Sequence, residues 1–185
     1  MNQTSSYPAL FLDRDGIINK EGGYISSISN IRFTEHIFDL CCFFKKKLFK
    51  IVIVTNQSGI GRGIISINEY NKINSFILET FKDKNCSIDL ILTSTIDPRK
   101  KDSSPKEIFR RKPNPGLILE AQSHLNLDLT KSLLIGDNLT DMQAGKSANI
   151  PRLFLVKSPI IYSDYFESFV NLKNCLVRLE HVYTS

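Results

Sequence analysis

No stretch of this chain is apolar for long enough to cross a bilayer. Residues 1–8 are polar and lack the basic and apolar regions of a secretory leader, so a cytoplasmic location is expected. Cysteine is sparse. Cys41, Cys42, Cys86 and Cys175 have no metal-type spacing, and without a leader they are expected to be buried free thiols. Internal repeats, low-complexity tracts and linkers are missing too. The 185 residues are therefore expected to form one domain, 1–185, large enough for a substantial core. A hydrophobic content of 42% against 23% charged suits a globular chain. The net charge of +5 favours anionic partners without choosing between a small phosphorylated molecule and nucleic acid.

What is present alternates. Short apolar runs at 9–12, 51–54, 88–92, 133–135 and 153–156 read as strands. Amphipathic segments near 36–48, 68–84, 115–125 and 140–148 read as helices. Alternation of this kind predicts a doubly wound α/β domain with a mainly parallel sheet. The segment 16–34 reads as a loop or small hairpin, 94–111 as an irregular basic stretch, and the tail from 158 as one more helix and a last strand. Both irregular stretches are long for plain connectors and are candidates to shape a site. Phe38, Phe43, Phe44 and Phe49 read as helix core and flank, not as a stacking platform.

Four motifs stand at expected strand ends. In Asp13-Arg14-Asp15-Gly16 two carboxylates follow the first apolar run. They repel unless a cation or bound group offsets them, which suits a hard metal ion, a carboxylate nucleophile and an acid/base partner. In Thr55-Asn56-Gln57-Ser58-Gly59-Ile60-Gly61-Arg62-Gly63 a strand runs into a hydroxyl, two amides and three glycines, whose backbone N–H groups can converge on an anion. No Gly-Lys-Ser/Thr follows, so this is not a Walker A loop. Lys112 precedes Pro113-Asn114-Pro115-Gly116, a helix start, where it can neutralise carboxylates or grip a phosphate. Another strand ends in Gly136-Asp137-Asn138, with Asp141 four residues beyond Asp137. Here Asp137 reads as a metal ligand and Asp141 as the residue that orients Lys112 or a metal-bound water. Each motif alone also reads as a plain turn or helix cap. Together they would face one crevice at the carboxyl ends of a parallel sheet.

These residues resemble the haloacid dehalogenase (HAD) superfamily of aspartyl-phosphate phosphatases, and more narrowly the heptose 1,7-bisphosphate and histidinol-phosphate phosphatases. The matching stretches are 13–19, Gly23-Tyr24, 55–63, 111–116 and 136–141 with Ala144-Gly145. The resemblance implies a Rossmann-like HAD fold without a large cap domain. It implies catalytic roles for Asp13 as nucleophile, Asp15 as acid then base, Thr55 as a phosphoryl holder and Lys112 as a charge stabiliser. Mg²⁺ would sit on Asp13, Asp15 (through its backbone carbonyl) and Asp137. Substrate contacts would come from Asn56, Gln57, Arg62, Arg111 and Asn138, and Tyr24 could line the entrance. Such relatives usually hold a structural zinc on three Cys and one His before the Arg-Lys-Pro motif. The aligned positions here are Ser94, Ile96, Ile108 and Arg110, so no zinc is expected.

The implied activity is Mg²⁺-dependent removal of the C7 phosphate of a D-glycero-D-manno-heptose 1,7-bisphosphate, feeding nucleotide-activated heptose for surface polysaccharide. Histidinol phosphate is the nearest alternative substrate. Lys45, Lys46, Lys47, Lys100 and Lys101 raise a nucleic-acid 3′-end phosphatase, but basic residues without a stacking platform favour a solvated surface. A receiver-like, non-catalytic phosphate-binding module is the other class of reading, and retention of Asp15 argues against it. A small phosphorylated sugar as partner, no membrane and a monomer are expected.

Overall fold

The computed structural model describes residues 6–20, 23, 25–100, 102–157 and 159–184. Tyr24 and Lys101 therefore lie outside the described residues. Among the described residues, six strands form one sheet: β1 (Ala9–Leu12), β2 (Lys50–Asn56), β3 (Leu90–Ser94), β4 (Leu133–Gly136), β5 (Arg152–Val156) and β6 (Glu167–Phe169). Their spatial order is β3-β2-β1-β4-β5-β6, and every pairing is parallel. The chain winds outward from β1 through β2 to β3, then returns to lay β4 on the other side of β1. This reversal is the switch point where strand ends part and a crevice opens.

Alternation along the strands builds two cores. Leu10, Leu12, Ile51, Ile53, Leu133 and Ile135 face one layer, where they meet α1 (Ile37–Lys46), α3 (Ile67–Asp83) and α7 (Leu172–Thr184). Ala9, Phe11, Val52, Val54 and Leu134 face the other and meet α5 (Gly116–Leu125) and α6 (Leu139–Ser147). Period-two alternation of wholly apolar strands is what burial on both faces requires. Phe44 and Phe49 are buried in the first core, with Phe38 and Phe43 packed against it.

Two short helices were not expected: α2 (Ser58–Gly61) and α4 (Pro105–Arg110). The second corrects the reading of 94–111 as irregular. Ser104 and Glu107 form a capping box with proline in the first turn, which satisfies the backbone donors of a helix too short to show periodicity. The third strand begins two residues later than expected and extends to Ser94. Asp89 takes the Ile51 N–H on its carboxylate at 2.8 Å, ending the loop ahead of the strand. The tail adds its strand before its helix. Among the described residues no helix is long and apolar enough to cross a membrane.

Candidate active site

The carboxyl ends of β1, β2 and β4 open on a cleft of about 340 Å³. Asp13 and Asp15 enter it from the end of β1, Thr55 and Asn56 from β2, Arg111 and Lys112 from the turn between α4 and α5. Asp137, Asn138, Thr140 and Asp141 enter from the β4–α6 junction.

Lys112 is the buried centre of this cleft, only 4% exposed. Its Nζ donates to Asp13 Oδ1 at 2.7 Å and to the Val54 carbonyl at 2.8 Å, and lies 2.6 Å from Asp141 Oδ1. Asn56 fixes the lysine backbone from both sides: its Nδ2 donates to the Lys112 carbonyl at 3.0 Å and its Oδ1 accepts the Lys112 N–H at 3.2 Å. Burial pushes the Asp13 carboxyl up to about 7; Lys112 pulls it down, while Asp141 and Asp15 add to the rise. Burial opposes the Lys112 charge, yet Asp13 and Asp141 outweigh it and raise its pKa above the usual lysine value.

Among the described residues, Asp13, Asp137 and Asp141 bring one carboxylate oxygen each within 4.8 Å of one another. Like charges so close favour a hard divalent cation with oxygen ligands, so the donor set fits Mg²⁺. Asp141 is committed elsewhere: its Oδ2 accepts the Asn138 N–H at 3.0 Å and closes the capping box of α6, while its other oxygen meets Lys112. Asp13 and Asp137 are the two members of this cluster that were expected to hold an ion. Gly16 makes room for Asp137. Its φ is +86°, and a Cβ there would stand 2.2 Å from Asp137 Oδ2.

Asp15, also on the cleft lining, has a different set of partners. Its Oδ1 accepts from Arg14 Nε and Asn19 Nδ2, both at 3.1 Å; its Oδ2 accepts from Arg14 Nη2 at 3.2 Å and Gln57 Nε2 at 2.6 Å. The Asp15 carboxylate is thus not one of the three clustered acids. Two expected substrate contacts lie off the cleft lining. Gln57 is 3% exposed, with its amide bonded to Arg14, Asp15 and Thr55. Arg62 lies 3.5 Å from Asp97, which also takes a two-point ion pair from Arg99. The Arg99 hydrogen bonds hold the Asp97 carboxyl well below its ordinary value, even though its setting disfavours the charge. Packing drives this: a Cβ on Gly61 would sit 2.3 Å from the Thr95 carbonyl, so α2 lies flush on the 95–97 loop. Arg111 and Asn138 do line the cleft; Arg111 Nη1 donates to the Ile96 carbonyl at 3.4 Å. At the positions where a zinc was not expected, Arg110 pairs with Glu120 at 2.7 Å.

Sequence reasoning missed Arg14, Asn19 and Thr140. Arg14 gave a signal: an arginine between two acids at the end of an otherwise apolar strand must find buried partners.

The HAD-hydrolase-like family model matches residues 109–160. The chain is 39% identical over 168 residues to the D-glycero-alpha-D-manno-heptose-1,7-bisphosphate 7-phosphatase of Campylobacter jejuni, covering 91% of this chain and 93% of that one. It is 38% identical to the D-glycero-beta-D-manno-heptose-1,7-bisphosphate 7-phosphatase of Yersinia pestis, covering 84% and 83%. Among solved structures, the D,D-heptose 1,7-bisphosphate phosphatase of B. bronchiseptica, complexed with magnesium and phosphate, shares the fold with a TM-score of 0.82 at 21% identity, over 95% of this chain and 99% of that one.

Proposed function

The chain belongs to the HAD-like phosphatases, in the family of the heptose-1,7-bisphosphate 7-phosphatases, and from that premise we propose that it removes the C7 phosphate of a D-glycero-D-manno-heptose 1,7-bisphosphate through an aspartyl phosphate. The observation that carries the chemistry is the Asp13–Lys112 contact of 2.7 Å inside the carboxylate cluster, beside Thr55 and Asn56.

In this reading the Asp13 carboxylate attacks phosphorus, and the bond to the sugar oxygen breaks as the new P–O bond forms. Asp15 gives the leaving oxygen its proton. Water then attacks the aspartyl phosphate, Asp15 takes the water proton, and inorganic phosphate leaves with Asp13 restored. Thr55 holds the transferring group, and Lys112 offsets charge on its oxygens. This is positioning and electrostatics, which is most of what phosphoryl transfer asks of a protein. Asp13 and Asp137, with the backbone carbonyl of Asp15, would hold Mg²⁺, which when bound offsets negative charge on the nucleophile and the phosphate oxygens. Arg111, on the cleft wall, would contact the part of the substrate away from the reaction. The product would supply nucleotide-activated heptose for surface polysaccharide.

Phosphate release from a panel tests this. The panel holds both anomers of the heptose bisphosphate, histidinol phosphate and a 3′-phosphorylated oligonucleotide. One heptose anomer is expected to exceed the others in kcat/KM by at least about 100-fold, as specificity set by several buried polar contacts allows. Activity should vanish in EDTA and return with Mg²⁺. Preferred turnover of histidinol phosphate or of the oligonucleotide would reject the substrate assignment, and metal-independent turnover would reject the mechanism.

A further inference from the structure

We propose that Gln57 is a positioning residue that orients both the acid Asp15 and the hydroxyl of Thr55, and that the buried Arg14 sets the orientation of Gln57. The inference rests on the phosphatase reading above and adds to it a residue expected at first to touch substrate.

The argument starts from donor chemistry. Arg14 is 1% exposed and its guanidinium can only donate. The oxygen of the Gln57 amide therefore has to face it, and Arg14 Nη2 donates to Gln57 Oε1 at 2.8 Å. This turns Gln57 Nε2 to the opposite side. There it donates to Asp15 Oδ2 at 2.6 Å and to Thr55 Oγ1 at 2.9 Å. The flipped amide would set donor against donor at Arg14 and acceptor against carboxylate at Asp15. Both contacts are costly where water is excluded. Arg14 is itself held in place: Tyr70 of α3 lies over its guanidinium, 5.9 Å from ring centre to carbon, and the Tyr70 hydroxyl meets Thr93 Oγ1.

Two consequences reach the cleft. Thr55, having accepted from Gln57, keeps its own hydrogen to donate to a phosphoryl oxygen. Asp15 has its carboxylate plane set by Arg14, Asn19 and Gln57 while it stays 35% exposed at the cleft edge. One neutral amide thus couples the proton donor for the leaving group to the hydroxyl that would grip the phosphate.

The leaving group provides the test. A sugar alkoxide needs a proton to depart and a nitrophenolate does not. The ratio of kcat/KM for a primary sugar phosphate to kcat/KM for p-nitrophenyl phosphate, which ends at loss of the leaving group and excludes the shared hydrolysis of the aspartyl phosphate, therefore reports the acid, and a general structural defect leaves that ratio unmoved. In Asp15→Asn the ratio is expected to fall about 100-fold, within the usual range for a general acid. In Gln57→Leu it should fall about 10-fold, and in the double variant no further than in Asp15→Asn alone, since residues acting as a unit are not additive. Gln57→Met serves as a second variant of similar length, and both are checked for an intact thermal transition. A wild-type ratio in folded Gln57→Leu and Gln57→Met, or an additive fall in the double variant, overturns the inference. Failure of the underlying reading is distinct, because Asp15→Asn itself would then leave the ratio unchanged.

Discussion

Asp13 and Asp15 stand two residues apart on one strand exit, yet they live in opposite surroundings. Asp13 is largely shielded, its side chain 12% exposed; it meets a lysine and shares its space with two more acids. Asp15 is partly exposed, meets an arginine and two amides, and is not part of the clustered acids. The first environment keeps a carboxylate under electrostatic pressure that a cation relieves. The second satisfies a carboxylate with hydrogen bonds at the cleft edge. Two identical side chains are thereby suited to two tasks, and the partners decide which task falls to which.

That contrast can be broken from the Asp13 side first. Asp13→Asn should lower phosphate release by at least about 10⁴-fold on sugar and aryl esters alike, as loss of a nucleophile does. Equal loss on both esters is the mark that separates it from Asp15→Asn. A variant that retained turnover within tenfold of wild type would remove Asp13 from the chemistry.

A smaller effect probes the space beside Asp137, next to the strand exit that carries both acids. Gly16→Ala places a methyl group against Asp137 and forces an unfavourable φ. We expect about 1–3 kcal/mol lost in stability by chemical denaturation, the usual cost of such strain, together with a higher Mg²⁺ requirement. Unchanged stability and an unchanged Mg²⁺ titration would show that the loop relaxes freely.

The smallest expected effect sharpens the electrostatic half of the contrast. Burial raises the Asp13 pKa from its ordinary 3.8 to about 7. Between these values the folded protein holds a proton that the unfolded chain has released, so stability falls as pH rises through that window. The carboxyls held low, such as Asp89 (where Lys45 and the Ile51 N–H overcome burial), act at more acidic pH. In EDTA, raising the pH from 5.5 to 7.5 should therefore cost about 1–2 kcal/mol. Mg²⁺ should restore it, and Asp13→Asn should flatten the profile. A denaturation series that rose with pH in EDTA would contradict the crowding at Asp13.

Much of the fold could be read from single residues. The run 9–12 is the observed β1 to the residue, because four apolar positions stand between a proline and an aspartate. β4 and β5 were read to within one residue: β4 runs on to Gly136 and β5 starts at Arg152. The helix α4 was not, since six residues cannot show a 3.6-residue period, although Ser104-Pro105-Lys106-Glu107 carried its capping signal. In the site, Asp137 was legible as a charge ending an apolar run, and Lys112 as a cation just ahead of a Pro-Asn-Pro-Gly helix start. Gln57 was misplaced because its motif reads as a polar loop, and only packing reveals that its amide lies beneath the cleft floor.

Residue order alone determined the layered α/β architecture, the strand ends at which chemistry is held, and the family resemblance, because apolar periodicity and abrupt polar boundaries are local properties. Only the tertiary structure decided which acid faces lysine and which faces arginine, and that Gln57 and Arg62 turn to Asp15 and Asp97 and away from the cleft lining. The Asp13–Lys112, Asp15–Gln57 and Arg62–Asp97 contacts join residues 99, 42 and 35 positions apart, set by how strands stack around the switch point. No local pattern encodes such distances.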